Sequence, residues 1–532
     1  MYITQAIYNG YKQIEKKYIV TFISTIVIGL FAHAFIMLNV LHNHDTINST
    51  PDGVGAGLSS GRWVFQLIQN FSNKYGWHYN IPVVNCFSAL IILSLSACII
   101  ISIYHINDLI YCILTGGVFV TFPSVTSMMF FSYRVHYYAI AIFLVVFAVC
   151  LVKKGKLIIP AILMAISCGI YQAYFPLAIT MILLLFLHEM IPSHYSFTNN
   201  LVRGIKYVFI LILGLILYYI ILQFLLSIYN IELTDYQGIN QMGIHLSEIP
   251  DILKNVYTTF FHLPFIEYWD INQSALTKTC ILIFYIISAA LIVFSITKKQ
   301  GGVKLEIIVT AAMLPIAVNS IIIMCAHGKF IYTLMVYSLV FLYLLPIILI
   351  ETFNDSSSES THSKKVFINI QNTVITLFLS LVIVNYIWNA NGNYLSLYYT
   401  NQQTIHYFQT LVTRIQSTEG YTDELPVLYV GETIEDAAFD SSLYENAPFL
   451  YGGNITSTYL INSYSRLCWI KCYLGYNPPQ LTDQKKIDSF SNNAAVMTMP
   501  CYPDDGSIKI IDDVIIVKFS EETDSIISNG GN

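Results

Sequence analysis

Residues 18–45, "YIVTFISTIVIGLFAHAFIMLNVLHNHD", decide the class of fold. Residues 18–41 contain no Asp, Glu, Lys or Arg. A helix of this length is sufficient to cross the roughly 30 Å hydrocarbon core of a bilayer. The run is too long for the apolar region of a signal peptide and lacks a small-residue cleavage site. It therefore predicts a retained membrane helix that is followed at once by His42, His44 and Asp45.

The composition extends this interpretation to most of the chain. Of the 532 residues, 55% are hydrophobic and 11% are charged, and the mean hydropathy is +0.60. Soluble globular chains carry roughly 25% charged residues. Long apolar runs recur as far as about residue 389, which predicts a polytopic membrane protein. The net charge of −6 comes without a basic block, so nothing in the sequence indicates nucleic-acid binding.

Clusters of Lys and Arg predict the topology, because such residues are enriched in cytoplasmic loops. If all the clusters face the cytoplasm, about eleven spans result, with the N-terminus inside and the C-terminus outside. The run 157–191 is read as two short spans, separated at "CGIYQAYFP" (168–176). The predicted spans are about 19–41, 81–104, 108–126, 134–152, two within 157–191, 207–228, 276–297, 304–325, 329–350 and 366–389.

The same topology predicts two parts. Residues 1–389 form a bundle of transmembrane helices with a first outer loop at 42–80 and a second at 229–275. Residues 390–532 form a small extracytoplasmic α/β domain. Within it, "TIHYFQTLVTRIQS" (404–417) and "SYSRLCWIKCYLG" (463–475) read as helices, and "LPVLYVG" (425–431), "AAVMTMP" (494–500) and "SIKIIDDVIIVKFS" (507–520) read as strands.

Three cysteines fall in this predicted outer part, where an oxidising compartment permits a disulfide. Cys468 and Cys472 lie one helical turn apart and would not readily bond to each other. Cys501 is the better partner for one of them, and three free thiols are an equal alternative.

The first outer loop combines an acid with a base. "LSSGRWVFQLIQNF" (58–71) predicts an amphipathic surface helix, capped by Ser59 or Ser60, with Arg62 near its start. A carboxylate such as Asp45 is able to accept a proton from a hydroxyl nucleophile, and an arginine is able to bind a departing phosphate through two hydrogen bonds. The alternative is that Asp45 only marks the point where the first span leaves the membrane.

Other charged side chains are predicted on the same outer side. They are Arg134 and His136 at the start of one span, and His327 and Lys329 at a turn between two later spans. Charged residues at membrane depth are costly and tend to be functional. Each one alone is also explained as an interfacial anchor with a snorkelling side chain. Because all four are predicted on the same side of the membrane as Asp45, a common site is favoured.

Four stretches carry a resemblance to a known family. They are "HNHD" (42–45), "SSGRWVFQLI" (59–68), "CGIYQAYFPL" (168–177) and "MPCYPDDGSIKIIDDVIIVKFS" (499–520). Their order and placement resemble the GT-C membrane glycosyltransferases, and among these the phage-type O-antigen glucosyltransferases and their bacterial relatives. The stretches lie from end to end, so the resemblance covers nearly the whole chain. It implies a mainly α, GT-C-type bundle with a small outer α/β domain.

The resemblance also implies a reaction. Such enzymes move a hexose, often glucose, from a polyprenyl-phosphate donor to a polysaccharide or glycolipid outside the bacterial cytoplasmic membrane, with inversion. The acid of the first outer loop, here Asp45, is the expected general base. Basic side chains would bind the donor phosphate, so neither an obligatory metal nor a cofactor is expected. The expected phosphate-binding residues are Arg62, Arg134 and Lys329.

Many GT-C enzymes carry two neighbouring acids, and this sequence departs from that pattern because Asp45 is flanked by histidines. Asp52 fills the second role, or no second acid exists. His44 either tunes Asp45 or binds phosphate. The residues expected to support the site are His42, His44, Asp52, His136, His327 and Gln172.

Two rival functions fit a polytopic chain. A polysaccharide flippase or other transporter would show internal repeats and polar residues in mid-membrane, and apart from Gln172 and Asn319 few are seen. A polysaccharide polymerase or ligase would act outside on a polyprenyl diphosphate donor. The membrane lipid, the lipid-linked sugar and the acceptor glycan are the expected partners in the transferase interpretation.

Overall fold

Most of the chain folds into helices. The computed structural model describes residues 14–528, except 51–52, 54, 56, 77–78, 193–195, 235–245, 300, 326–330, 356–361, 434–449, 454–459, 480, 492 and 522–525. The helices are numbered in chain order. They are α1 (Lys16–Leu38), α2 (His44–Asn48), α3 (Trp63–Tyr75), α4 (Pro82–Ile103), α5 (Leu109–Thr121), α6 (Pro123–Met129), α7 (Val135–Lys153), α8 (Ile158–Ile170), α9 (Phe175–Met190), α10 (Phe197–Tyr229), α11 (Ile249–His262), α12 (Ala275–Lys298), α13 (Gly302–Ala312), α14 (Leu314–Val318), α15 (Ser320–Met324), α16 (Val340–Asp355), α17 (His362–Gln416), α18 (Ser463–Leu474), α19 (Gln484–Ser491) and α20 (Ala494–Met497).

Seven helical segments in the described part of the chain are long and apolar enough to cross a membrane. An eighth results if α5 and α6, which are bent by 47° at Phe122, form one span. The bend has a local cause, because Pro123 lacks an N–H and disfavours a helical conformation for the residue before it. The predicted total of about eleven spans stays a prediction. The seven segments are Lys16–Leu38, Pro82–Ile103, Val135–Lys153, Gln172–Met190, Phe197–Tyr229, Ala275–Lys298 and Gln371–Gln416.

The predicted break inside residues 157–191 is confirmed. Helix α8 ends at Ile170, Tyr171 is extended, and a 3₁₀ turn at Gln172–Tyr174 leads into α9. Pro176 lies in the first turn of α9, where its missing N–H leaves no intrahelical hydrogen bond unmade. The break places the buried side chain of Gln172 in the middle of an apolar run, and the site described below uses its hydrogen bonds.

Helix α10 begins at Phe197, ten residues before the predicted start at 207, so that boundary was wrong. Two polar contacts account for the additional turns. Arg203 pairs with Glu189 at 3.0 Å, and Asn200 donates to Glu306 at 2.8 Å. Hydrophobicity alone does not reveal these turns, because their stabilisation comes from side chains of neighbouring helices.

Helix α17 is longer than any predicted span. Its 55 residues extend from His362 to Gln416, about 82 Å at 1.5 Å per residue, against a hydrocarbon core of about 30 Å. The stretch 404–417, predicted as a separate helix, forms its last turns, so that separation was wrong. Gly392 lies within it but does not interrupt it. The predicted domain boundary at 389/390 falls inside this helix and stays a prediction.

The end of α17 packs against a four-stranded sheet. The strands are β1 (Val427–Val430), β2 (Ile508–Ile511), β3 (Val514–Lys518) and β4 (Ile526–Ser528), in the order β2-β3-β1-β4. Strands β1 and β3 are parallel, whereas the β2–β3 and β1–β4 pairs are antiparallel. The predicted Asp-Asp turn is confirmed, since Asp512 and Asp513 both have the positive φ of a tight hairpin. One hydrophobic cluster joins α17, the sheet and α18.

One of the predicted strands was wrong. Residues 494–497 of "AAVMTMP" form the short helix α20, because the Asn493 side chain accepts a hydrogen bond from the Ala495 N–H at 2.9 Å and caps it. A short apolar run does not distinguish strand from helix by periodicity alone. The predicted end of α18 at Gly475 is confirmed, with the glycine in the left-handed conformation. Cys468, Cys472 and Cys501 are free thiols.

Candidate active site

The loop after α1 is held so that Asp45 begins a new helix. The Asn401 side chain, on α17, accepts from the His42 N–H at 2.7 Å and donates to the His42 carbonyl at 2.8 Å. Asn43 then caps α2 by accepting hydrogen bonds from the N–H groups of Asp45 and Thr46. The Thr46 hydroxyl donates to the Phe130 carbonyl at 2.8 Å. These contacts fix the backbone around the Asp45 carboxylate.

The Asp45 side chain remains partly open to solvent, with 34% of its surface exposed. Its Oδ1 accepts a hydrogen bond from the Tyr464 hydroxyl at 3.2 Å. The same oxygen lies 3.7 Å from His44 Nε2. A phenol donor and an imidazole therefore orient one carboxylate oxygen, which leaves the other available to an incoming hydroxyl group.

Arg134 is buried between α6 and α7, with 3% of its surface exposed. Its guanidinium lies 4.8 Å from the centre of the Phe65 ring and 5.0 Å from that of Tyr133. Gly55 passes directly over this group at φ +65°, and a Cβ there would overlap the guanidinium. Gly55 of the first loop thus covers Arg134, which also interacts electrostatically with Asp45.

Arg62 precedes α3 and is oriented by the break between α8 and α9. Its guanidinium lies 4.9 Å from the centre of the Tyr171 ring. Gln172 donates to the Ser60 carbonyl at 3.0 Å and to the Tyr218 hydroxyl at 3.0 Å. The buried Arg62 Nε has no hydrogen-bond partner within the described residues. Gln172 therefore holds the turn that leads into Arg62.

The predicted cap of α3 was wrong. Ser59 and Ser60 lie in a 3₁₀ turn, and Gly61 follows in the left-handed conformation at φ 71°. This left-handed turn separates both serines from α3, whose N-cap is Arg62 without a side-chain hydrogen bond. The two motifs "GRW" and "GIYQ" instead interlock, since a Cβ at Gly169 would overlap the Trp63 ring.

Three of the sequence-predicted site residues come together. Tyr133 interacts electrostatically with Asp45, Arg62 and Arg134. Two guanidinium groups against one carboxylate give the site an excess of positive charge. Such a site suits a ligand that carries a phosphate, because arginine binds phosphate oxygens through a planar pair of N–H donors.

Two predicted supporting residues are placed apart from this group. The His42 ring lies against Trp469 and Tyr473, with ring centres 5.5 and 5.7 Å away, and burial lowers its pKa to about 4. His136 lies in the first turn of α7 against Tyr137. No contact in the described part of the structure joins either ring to Asp45.

Three other predicted site residues, Asp52, His327 and Lys329, lie outside the described residues. Their proposed roles stay predictions. Among the residues that the structure does describe, no group of three His, Cys, Asp or Glu side chains is placed to hold a metal ion.

Sequence reasoning missed one half-buried acid, Asp270. It lies between α11 and α12, where it and Trp269 both adopt positive φ values of 60° and 50°. Such conformations are strained for residues other than glycine. Asp270 Oδ2 accepts from the Thr333 hydroxyl at 3.1 Å. Burial raises the pKa of Asp270 to about 6, an effect that the Thr333 hydrogen bond opposes and the charge of Glu267 reinforces.

A chain of contacts joins Asp270 to the Asp45 loop. Tyr332, next to Thr333, stacks on Tyr451 with ring centres 3.9 Å apart, and Tyr451 also stacks on Phe131. The neighbouring Phe130 is the residue whose carbonyl binds Thr46. Asp270 is therefore a candidate for the second acid. The four residues "WDIN" (269–272) in the predicted second outer loop are the available signal, but nothing local distinguishes Asp270 from the other acids there.

We expect Asp270→Asn to raise stability at neutral pH and lower sugar transfer. The folded state holds a proton up to a pKa of about 6, whereas an ordinary Asp loses it near 3.9, so burial lowers stability as pH rises between about 4 and 6. Because asparagine does not ionise, Asp270→Asn removes this loss of stability. Thermal unfolding of the purified protein at pH 4.5 and 7 measures the effect.

Asp251 is exposed, so Asp251→Asn serves as the control for this variant. It should change neither the thermal stability nor the rate of sugar transfer. Equal pH dependence of unfolding in the wild type and Asp270→Asn would contradict the assignment.

The structure combines helices that suit a bilayer with a carboxylate and two arginines at one end of the bundle, an arrangement that suits a membrane-embedded group-transfer enzyme. A model of the family described as "Glucosyl transferase GtrII" matches residues 34–343, which is more than half of the 532 residues. The chain belongs to this family of glycosyltransferases, and the match confirms the resemblance to the phage-type O-antigen glucosyltransferases. Searches of curated proteins and of solved structures found no match.

The matched region contains Asp45, Arg62, Arg134, Gln172 and Asp270. It ends within α16, before α17 and the sheet begin. Tyr464, the hydrogen-bond donor to Asp45, therefore lies outside the matched region, and only the three-dimensional structure connects it to the site.

Proposed function

We propose that the protein transfers a hexose, glucose in the first instance, from a polyprenyl-phosphate donor to a cell-surface polysaccharide or glycolipid. The reaction takes place at the outer face of a bacterial cytoplasmic membrane and inverts the anomeric configuration. Membership of a glucosyltransferase family supports the sugar, and the charge of the site supports the phosphate. The single observation that carries the proposal is that the loop holding Asp45 also holds Arg62 and, through Gly55, covers the buried guanidinium of Arg134.

These residues suit an in-line displacement. The acceptor hydroxyl oxygen attacks the anomeric carbon, the bond from that carbon to the phosphate oxygen breaks, and the Asp45 carboxylate takes the hydroxyl proton. The departing polyprenyl phosphate carries the negative charge. Arg62 and Arg134 stabilise this charge, which makes the phosphate a better leaving group. Partial exclusion of water strengthens both interactions.

The surroundings of the site suit a lipid-linked donor. Helix α3 carries Arg62 before its first residue and exposes the apolar side chains Leu67 and Phe71, which are 44% and 50% exposed. An amphipathic helix with such a face lies along a membrane surface. The polyprenyl chain would remain in the lipid while its phosphate reaches the arginines.

The proposed orientation makes Cys472 reachable from outside the cell. Cys472 is exposed on α18, the helix that also carries Tyr464. An impermeant maleimide applied to intact spheroplasts should label the wild type, and Cys472→Ser should remove most of that labelling. As the matched control, Lys154→Cys at the opposite end of the bundle should react only after permeabilisation. The reverse pattern would contradict an outward-facing site.

The donor and the sugar are tested together by isotope transfer. Membranes containing the protein receive a panel of polyprenyl-phosphate hexoses with a labelled sugar, and label is counted in the acceptor glycan. Label from polyprenyl-phosphate glucose supports the proposal. Transfer only from a polyprenyl diphosphate donor would favour a polymerase or ligase, and movement of an intact lipid-linked glycan without transfer would favour a transporter.

A further inference from the structure

A polar cavity lies at the end of the bundle opposite Asp45. Helix α7 begins beside Arg134 and runs about 28 Å to Lys153, so its two ends mark the two ends of the bundle. The cavity measures about 670 Å³ and lies between the ends of α4, α7 and α9 and the start of α10. Its lining includes four cationic side chains, Lys153, Lys156, Arg203 and Lys206, one acid, Glu189, and the two histidines His105 and His188.

Two of the four cations in this lining are bound to protein groups. Lys153 donates to the Ser102 and Ile103 carbonyls at the end of α4 and lies 2.8 Å from His105 Nε2. Arg203 pairs with Glu189 at 3.0 Å, and the Tyr207 hydroxyl donates to the same carboxylate oxygen. The one acid of the lining is therefore already neutralised.

The other two cations are available to a ligand. Lys156 and Lys206 are exposed, and their side chains make no hydrogen bond or ion pair with any residue that the structure describes. Four cations against one carboxylate leave an excess of three positive charges when both histidines are neutral. A concave site of this charge favours a phosphate group, to which lysine binds as a point charge.

Exposed apolar residues flank the cavity and identify the source of that phosphate. Ile158 begins α8 beside the lining residue Leu157, and it is 67% exposed. Ile205 precedes Lys206 on α10 and is 60% exposed. A free phosphate ion would gain nothing from such neighbours. Acyl chains would cover them, at the depth where the spans end and lipid headgroups lie.

We propose that this cavity binds the phosphate of an anionic membrane lipid headgroup. Lys156 and Lys206 contact the phosphate, Arg203 and Lys153 add long-range attraction, and the exposed side chains of α8 and α10 contact the acyl chains. The site lies at the opposite end of the bundle from Asp45, so it is separate from the proposed sugar-transfer site.

The test compares lipid binding by the full-length protein and by Lys156→Gln/Lys206→Gln. Purified protein in phosphatidylcholine nanodiscs is titrated with phosphatidylglycerol, and bound lipid and thermal stabilisation are measured. We expect the wild type to prefer phosphatidylglycerol, and the double variant to bind it on the order of tenfold more weakly or worse. Lys156→Arg/Lys206→Arg should retain most of the binding.

The matched control is Lys298→Gln/Lys299→Gln, which removes two positive charges at the C-terminal end of α12, outside the cavity lining. An equal loss of binding in this control would overturn the proposal, because a general basic edge would then explain the attraction. No preference of the wild type for phosphatidylglycerol would overturn it as well. Displacement of the lipid by millimolar inorganic phosphate would identify a soluble anion as the ligand and would also overturn it.

Discussion

Asp45→Asn should lower sugar transfer at least about a hundredfold while the protein still folds and inserts. A positioned general base typically contributes roughly 10²–10⁴-fold, and asparagine keeps the size of the side chain but is unable to accept the proton. The Asn43 cap binds the backbone of α2, so it is independent of the substituted side chain. The measurement is the initial rate of isotope transfer by matched amounts of membrane-inserted protein.

Tyr464→Phe is the companion variant for this test. It removes the hydrogen bond to Asp45 Oδ1 but leaves the carboxylate, so the loss should be only several-fold and accompanied by a changed pH profile. Transfer near the wild-type rate by Asp45→Asn would contradict the general-base assignment. The role would then pass to Asp270, which the structure adds to the candidate acids.

The second large effect is expected at the donor phosphate. Arg62→Ala should raise the KM for the lipid-linked donor by roughly tenfold to a hundredfold, because a hydrogen bond to a charged group contributes roughly 1.5–3 kcal/mol. Arg62→Lys should recover only part of this loss, since a point charge lacks the two parallel donors. Donor titration at saturating acceptor measures the change.

Lys74→Ala provides the matched control. Lys74 lies in the last turn of α3, the same helix that Arg62 precedes, and carries the same charge away from the site. It should leave the donor KM unchanged. If both variants lower donor use equally, the effect belongs to the overall charge of the surface helix, and Arg62 is not a phosphate ligand.

Local signals explain which parts of the fold were predictable. The break at 168–176 combines glycine, glutamine and proline within an apolar run, and the 507–520 hairpin places two aspartates between β-branched residues. Each signal acts within a few residues. The first turns of α10 and the full length of α17 depend on partners from other helices, so hydropathy did not reveal them.

The site residues also divide into those with a local sequence signal and those that depend on distant partners. Asp45 and Arg62 occur in one loop, and Arg134 was grouped with them through its predicted side of the membrane. Tyr464 is separated from Asp45 by 419 residues, and Thr333 from Asp270 by 63. Contacts over such separations are set by tertiary packing, which a single sequence does not encode in any local pattern.

The unbroken helix α17 also restricts how this chain is able to change in length. Tyr386 donates to the Ile271 carbonyl beside Asp270, and Asn401 holds the backbone of His42 near Asp45. One inserted residue between them would rotate the second contact by about 100° relative to the first. Seven inserted residues would nearly restore the rotation but displace the contact by about 10 Å. The rotation and the length of α17 therefore both fix the loop that carries Asp270 relative to the loop that carries Asp45.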